Sequence, residues 1–118
     1  MANVEKFEDL KIWQDARVLV GDVYLILKEN RDFGFRDQIQ RASVSVMNNI
    51  AEGFERNSDA EFKRFLDIAK ASSGEVRSML YLAEDLNYLT IEKAQELRVR
   101  SSNLSGAISN LMKYLCKK

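Results

Sequence analysis

Apolar residues recur every three to four positions in four blocks of the chain, which is the period of an α-helix with one buried face. The blocks predict helices at about 9–29, 35–52, 59–86 and 91–115. No proline interrupts them, and the connections between them are short, as in consecutive antiparallel helices. The expected fold is therefore all-α, an up-and-down antiparallel four-helix bundle forming a single domain over residues 1–118.

The second block carries a polar row beside its apolar row. The apolar row consists of Phe35, Ile39, Ala42, Val46 and Ile50. The polar row has the same alternating spacing and consists of Gln38, Arg41, Ser45, Asn48 and Glu52. A helix that only covers a core needs the first row alone. Three interpretations of the polar row stay open: a solvated face, a subunit interface or channel lining, and a contact with nucleic acid.

Asn49 falls three residues after Val46, at the edge of the apolar row. An asparagine in that position must find hydrogen-bond partners, because burying an unpaired amide is costly. We favour a polar residue that sets helix register, as in coiled coils, over one that contacts a ligand.

Residues typical of helix ends flank the four blocks. Asp9 is expected to cap the first helix, and Gly53 to end the second in the left-handed conformation. Ser58 and Glu61 form a capping-box pattern before the third helix, and Thr90 is expected to cap the fourth.

Small residues cluster midway along the third helix, around Gly74. A glycine inside a helix costs about 1 kcal/mol relative to alanine, so some gain should offset it. We expect the close approach of a neighbouring backbone at this point.

The bulk composition is that of an ordinary soluble protein, with 46% apolar and 31% charged residues. No apolar run is long enough to cross a membrane, and the first residues contain no apolar signal region. The single cysteine, Cys116, fits a reducing compartment. These features predict a cytoplasmic protein.

Eighteen basic and eighteen acidic residues cancel overall, but the segment 91–118 has a net charge of +4, from six basic and two acidic residues. Nucleic-acid binding needs a clustered basic surface, and only this segment leans that way. Its candidate nucleic-acid contacts are Arg98, Arg100, Lys113 and Lys117. A solvated helix with lysines near its C-terminus is the favoured interpretation.

Catalytic signals are missing from the sequence. The chain has no histidine, the commonest general base and metal ligand, and no glycine-rich phosphate-binding loop. Cys116 therefore has no histidine to activate it. We expect no catalytic, cofactor-binding or metal-binding residues, no small-molecule substrate, and no enzymatic activity.

Several motifs together resemble a known family. They are Phe7-x-x-Leu10-x-x-Trp13-Gln14, Gln38-Ile39-x-Arg41-Ala42-x-x-Ser45, Asn49-Ile50-Ala51-Glu52-Gly53-Phe54, Glu61-Phe62-x-Arg64-Phe65-Leu66-x-Ile68-Ala69-Lys70 and Ser73-Gly74-Glu75-Val76-Arg77. The chain looks like the bacterial four-helix bundle family first named for proteins encoded in intervening sequences of 23S ribosomal RNA genes. The likeness spans roughly residues 7–115.

This resemblance implies a left-handed bundle that assembles with itself into a ring, most simply a homopentamer, and acts as a scaffold or binding module. It also implies a distant likeness to the accessory protein of diversity-generating retroelements, a basic pentameric barrel that binds nucleic acid. The alternative function is accordingly an RNA- or DNA-binding accessory protein. The neutral overall charge of this chain departs from the basic surface of that relative.

Overall fold

A computed structural model describes residues 4–117 of the chain. Within that range it contains a short 3-10 turn at Phe7–Asp9, four α-helices and no strand. The helices are α1 (Lys11–Ile26), α2 (Phe33–Phe54), α3 (Asp59–Asp85) and α4 (Ile91–Lys117). They form a globule of 45 × 20 × 19 Å, elongated along the helices. The all-α fold class predicted from the sequence is confirmed.

Each helix packs on the next one in the chain, and α4 returns to α1. The contacts of α3 with α2 and with α4 are extensive, whereas α1 and α4 touch sparsely. The core contains the predicted apolar rows, and its largest fully buried side chains are Leu19, Leu27, Ile39, Ile50, Leu66, Leu80, Leu97 and Ile108. Burial of these side chains supplies the main driving force for folding.

α1 is shorter than the sequence predicted at both ends. Asp9 does not cap it, because Asp9 lies in the 3-10 turn and Leu10, which is buried, occupies the cap position without a side-chain hydrogen bond. The helix ends at Ile26 because Leu27 turns inward, where it is only 1% exposed. Tyr24, in the last turns of α1, is 45% exposed.

α2 is longer than predicted. It begins at Phe33 rather than Phe35, because the Asp32 carboxylate accepts a hydrogen bond from the Phe35 backbone N–H. Gly53 does not end the helix in the left-handed conformation; it lies inside the last turn and is buried. A Cβ atom there would come within 2.7 Å of the Phe65 Cβ, so glycine is required by close packing against α3.

The two later caps are confirmed. The Ser58 hydroxyl accepts from the Glu61 backbone N–H at 3.1 Å, and the Thr90 hydroxyl accepts from the Lys93 backbone N–H at 3.1 Å. The second half of the capping box does not form among the described residues, because the Glu61 carboxylate pairs with Arg64 at 2.9 Å instead of reaching back to the Ser58 N–H.

Close packing between α3 and α4 occurs one residue before the position we expected. A Cβ atom on Gly74 would meet nothing within 4 Å, whereas Ser73 is fully buried and Ser72 is not. The Ser73 hydroxyl donates to the Ser101 carbonyl at 2.9 Å and accepts from the Ser105 hydroxyl at 3.0 Å. Ser101 and Ser105 of α4 therefore form the matching half of a serine contact with Ser73 of α3.

Candidate functional site

The polar row of α2 begins along the boundary with α3. Gln38, Arg41, Asn48 and Glu52 are exposed, while Ser45 and Asn49 are half-buried. The buried row of α2 faces the core, so residues one position away from it reach the edge of the neighbouring helix. The sequence thus placed the row correctly beside the core, but gave no sign of which helix it would meet.

Ser45 of the polar row and the neighbouring Asn49 form hydrogen bonds in the partly buried boundary. The Asn49 Nδ2 donates to the Ser45 carbonyl at 2.9 Å and to the Ser45 Oγ at 3.0 Å. The Ser45 Oγ lies 2.8 Å from the Ser72 Oγ on α3. Asn49 therefore reaches α3 through Ser45, and its own hydrogen bonds stay within α2.

A cleft of about 520 Å³ opens above this serine pair, between α2 and α3. Its residues are Gly34, Asp37, Gln38, Arg41, Ala42, Ser45, Ser72 and Glu75. The Gln38 Nε2 donates to the Glu75 carboxylate at 3.3 Å across the cleft. Arg41 forms no ion pair or hydrogen bond through its side chain with any residue in the range 4–117.

The rest of the polar row lies outside this cleft. Glu52 lines a separate depression with Phe7, Ala51, Glu55 and Arg56. Asn48 is exposed and lines none of the depressions described for this structure. The structure therefore brings Gln38, Arg41 and Ser45 together, and separates them from Asn48 and Glu52.

The candidate nucleic-acid contacts on α4 do not form one basic surface. Arg98 pairs with Glu84 at 2.8 Å, and its guanidinium lies 4.2 Å from the centre of the Tyr81 ring. Arg100 pairs with Asp22 of α1 at 2.6 Å. Lys113 and Lys117 are exposed and lie in the last turns of the same helix, several turns away from the two arginines.

The partner of Arg100 lies at the rim of a second cavity, which the sequence did not reveal. This groove of about 400 Å³ lies between α1 and α4, and its residues are Asp15, Val18, Leu19, Asp22, Arg100, Asn103 and Leu104. Asp22 and Arg100 are 78 positions apart in the chain, so no local pattern could have paired them.

A short hydrogen bond joins the connection that precedes α2 to the connection between α3 and α4. The Tyr88 hydroxyl donates to the Asp32 carboxylate at 2.5 Å. This bond and the Phe35 N–H lower the pKa of Asp32 below its ordinary value of 3.8. The same bond raises the pKa of Tyr88 above 10.0, with smaller contributions from burial and from the Asp32 charge.

A family model described as 23S rRNA-intervening sequence protein matches residues 8–110, which include the whole α2–α3 cleft. The chain belongs to this family. Membership confirms the resemblance carried by the motifs of the first three helices. The match ends before Lys113 and Lys117, so two of the four candidate nucleic-acid contacts lie outside it.

A solved structure has the same fold as this chain. The chain is similar to a protein of unknown function from the S23 ribosomal protein family of Bacteroides thetaiotaomicron, with a TM-score of 0.81 and 24% sequence identity. The alignment covers 86% of this chain and 98% of that one, and it shows a shared fold. No curated protein matches the chain.

Among residues 4–117, no group of three or more histidine, cysteine, aspartate or glutamate side chains is placed to hold a metal ion. None of the helices in that range is both long and apolar enough to cross a membrane.

Proposed function

We propose that this chain acts without catalysis, as an up-and-down, left-handed helical bundle that assembles with copies of itself into a ring. The assembly serves as a scaffold or binding module in the cytoplasm. A homopentamer is the ring favoured by the family resemblance, and the single cysteine favours the reducing compartment.

The observation that supports assembly is a pair of apolar faces on helices that do not touch. Val18 and Leu25 are 57% and 62% exposed on α1, seven residues apart. Ile68 and Leu82 are 42% and 44% exposed on α3, fourteen residues apart. Seven residues make nearly two full helical turns, so the two residues of each pair lie on the same side of their helix. A second subunit that covered these positions would remove the apolar side chains from water, which favours association.

The positions of these two faces favour a ring over a simple two-fold dimer. α1 and α3 make no contact within the described chain, since α2 and α4 lie between them. The two faces therefore belong to different sides of the bundle. When one surface of a subunit binds a different surface of the next, a suitable rotation closes a ring.

Size-exclusion chromatography coupled to light scattering tests the assembly. We expect a mass that is a multiple of the 13.6 kDa chain, most simply five chains. Leu25→Glu or Leu82→Glu alone should reduce the mass to that of a monomer, because each introduces a charge into one face. Val99→Glu, at a position 51% exposed on α4, is the control and should leave the assembly intact.

Mixing the two disrupted variants separates a ring from a dimer. Leu25→Glu keeps its α3 face and Leu82→Glu keeps its α1 face, so the mixture should form one intact contact and run as a heterodimer. A wild-type protein that runs as a monomer at micromolar concentration would overturn the assembly. Loss of assembly with only one of the two variants would instead indicate a contact between identical faces.

Nucleic-acid binding, the alternative inferred from the sequence, receives less support. Arg98 and Arg100 already neutralise carboxylates of the same chain, and Lys113 and Lys117 lie far from them. Binding through phosphate contacts would weaken steeply as salt is added, because it releases counterions. Retention of structured RNA at low salt that disappears on adding salt would favour this alternative over a scaffold without nucleic acid.

A further inference from the structure

The α2–α3 cleft holds one cation between two carboxylates. Arg41 lies one helical turn from Asp37 on α2, and Glu75 lines the cleft from α3. The ion pair of Asp37 with Arg36 is long, at 4.0 Å, and the Asp37 side chain is 57% exposed. Glu75 is held by the Gln38 amide, and Arg41 has no partner in the described chain. The charged groups of the cleft are therefore available to a ligand.

The hydrogen bonds among Asn49, Ser45 and Ser72, below the cleft, leave one hydroxyl hydrogen without an acceptor. The Asn49 amide must present its nitrogen to Ser45, because the flipped amide would place its oxygen against the Ser45 carbonyl. The Ser45 Oγ accepts from Asn49 and shares a second hydrogen bond with the Ser72 Oγ, in which either hydroxyl can donate. One of the two hydroxyl hydrogens lies between the oxygens, and the other remains to donate, so this serine pair supplies one hydroxyl donor to the cleft.

We propose that this cleft binds a small zwitterion with an ammonium and a carboxylate group, the chemical class of the free α-amino acids. The ligand carboxylate accepts from the Arg41 guanidinium and from the free hydroxyl of the Ser45–Ser72 pair, while the ligand ammonium donates to the Glu75 carboxylate. This inference goes beyond the ring assembly. Glu75 lies seven residues from both Ile68 and Leu82 on α3, so the cleft borders the surface that the next subunit would cover.

The charge balance of the cleft selects this class of ligand over simple ions. Asp37 and Glu75 against Arg41 give the lining a net charge of −1. A simple anion would be repelled by the net negative charge, and a simple cation would leave Arg41 without a partner, whereas a zwitterion pairs with both signs at once. The cleft volume of about 520 Å³ lies within the range of small-molecule sites, roughly 300–1,000 Å³.

Titration followed by amide chemical shifts tests the ligand class. The probes are L-alanine, L-leucine, L-glutamine and L-lysine, each compared with its N-acetyl derivative, which loses the ammonium, and its amide, which loses the carboxylate. We expect at least one free amino acid to shift the resonances of Gln38, Arg41 and Ser72 at millimolar concentration. Each derivative should bind about tenfold more weakly or worse, since it loses charge-assisted hydrogen bonds.

Two variants assign the roles within the cleft. Arg41→Gln and Glu75→Gln should each weaken binding by about tenfold or more, because each removes one of the two charge-assisted contacts. Arg77→Gln is the matched control, since Arg77 lies on the opposite edge of α3, where it contacts Ser102 of α4. Both substituted positions are exposed, so the fold should survive.

Several results would overturn the proposal. These are the absence of shifts with all four amino acids, equal binding of the derivatives, and unchanged affinity in Arg41→Gln. Light scattering on the same samples measures the oligomeric mass independently of ligand binding, so the two proposals can fail separately. Zwitterion binding by a protein that runs as a monomer would support the cleft and overturn the ring alone.

Discussion

Gly53 lies inside the last turn of α2, where a Cβ atom would come within 2.7 Å of the Phe65 Cβ and 3.0 Å of a Phe62 ring carbon. Replacing a helical glycine with alanine normally stabilises a helix by about 1 kcal/mol. Here the added methyl group must displace the base of an aromatic side chain, and overpacking of that kind costs about 1–3 kcal/mol. We therefore expect Gly53→Ala to lower the free energy of unfolding by about 1 kcal/mol in urea denaturation.

Gly106 provides the matched control for this prediction. It is exposed within α4, and a Cβ atom there would meet nothing within 4 Å. Gly106→Ala should raise the free energy of unfolding by about 0.5–1 kcal/mol, because only the helix propensity changes. Stabilisation by both substitutions would show that α2 and α3 can separate at Gly53 without cost.

At the scale of elements, Asp32 joins the start of α2 to the connection between α3 and α4. The Tyr88 hydrogen bond lowers the pKa of Asp32, so this carboxylate stabilises the fold above pH 3.8 and loses that effect as the pH falls through its lowered pKa. The pKa of Tyr88 is raised, so its contribution is present below pH 10.0 and is lost as the pH rises through the raised value. Tyr88→Phe should remove the alkaline dependence and reduce the acidic one, because the Phe35 N–H still lowers the pKa of Asp32.

The measurement is the difference in unfolding free energy between wild type and Tyr88→Phe across the pH range. We expect wild type to be the more stable protein over a plateau at intermediate pH, with the difference shrinking at the acidic and alkaline ends. Tyr114→Phe is the control, because Tyr114 is 42% exposed and forms no side-chain hydrogen bond within the described chain. A difference that is constant with pH would contradict the coupling of Asp32 and Tyr88.

The sequence predicted those parts of the elements that depend on neighbouring residues. Helical period identified four helices and most of their buried rows, and the short-range signals at Ser58 and Thr90 identified two caps. The same reasoning was wrong at Gly53, because glycine is typical both of helix ends and of close packing. Only the position of Phe65, on another helix, shows that this glycine serves close packing and does not end the helix.

The candidate site was predictable only in part, because the sequence locates residues on one helix but not the residues of the neighbouring helix that face them. The spacing of Gln38, Arg41 and Ser45 placed them on one face of α2. Glu75 and Ser72 complete the cleft from α3, and their position depends on how the two helices pack. Sequence periodicity shows which face of a helix is buried, but it carries no information about which residues of another helix lie opposite.

At the scale of the whole molecule, the four helices should differ in how easily they open. α3 packs extensively against two neighbours, whereas α1 is the shortest helix and touches α4 only sparsely. Segments with few buried contacts open at lower free energy than the core elements. We therefore expect hydrogen exchange to be slowest in α3 and fastest in α1.

Assembly should change this order, because the proposed ring covers the Val18 and Leu25 side of α1. Amides of α1 should exchange more slowly in the wild-type assembly than in Leu25→Glu, while amides at the centre of α3 change little. The comparison is made at equal protein concentration, and Val99→Glu should behave as wild type. If α1 exchanges as slowly as α3 in Leu25→Glu, then its protection comes from the bundle itself, and its exposed apolar face contributes nothing to its stability.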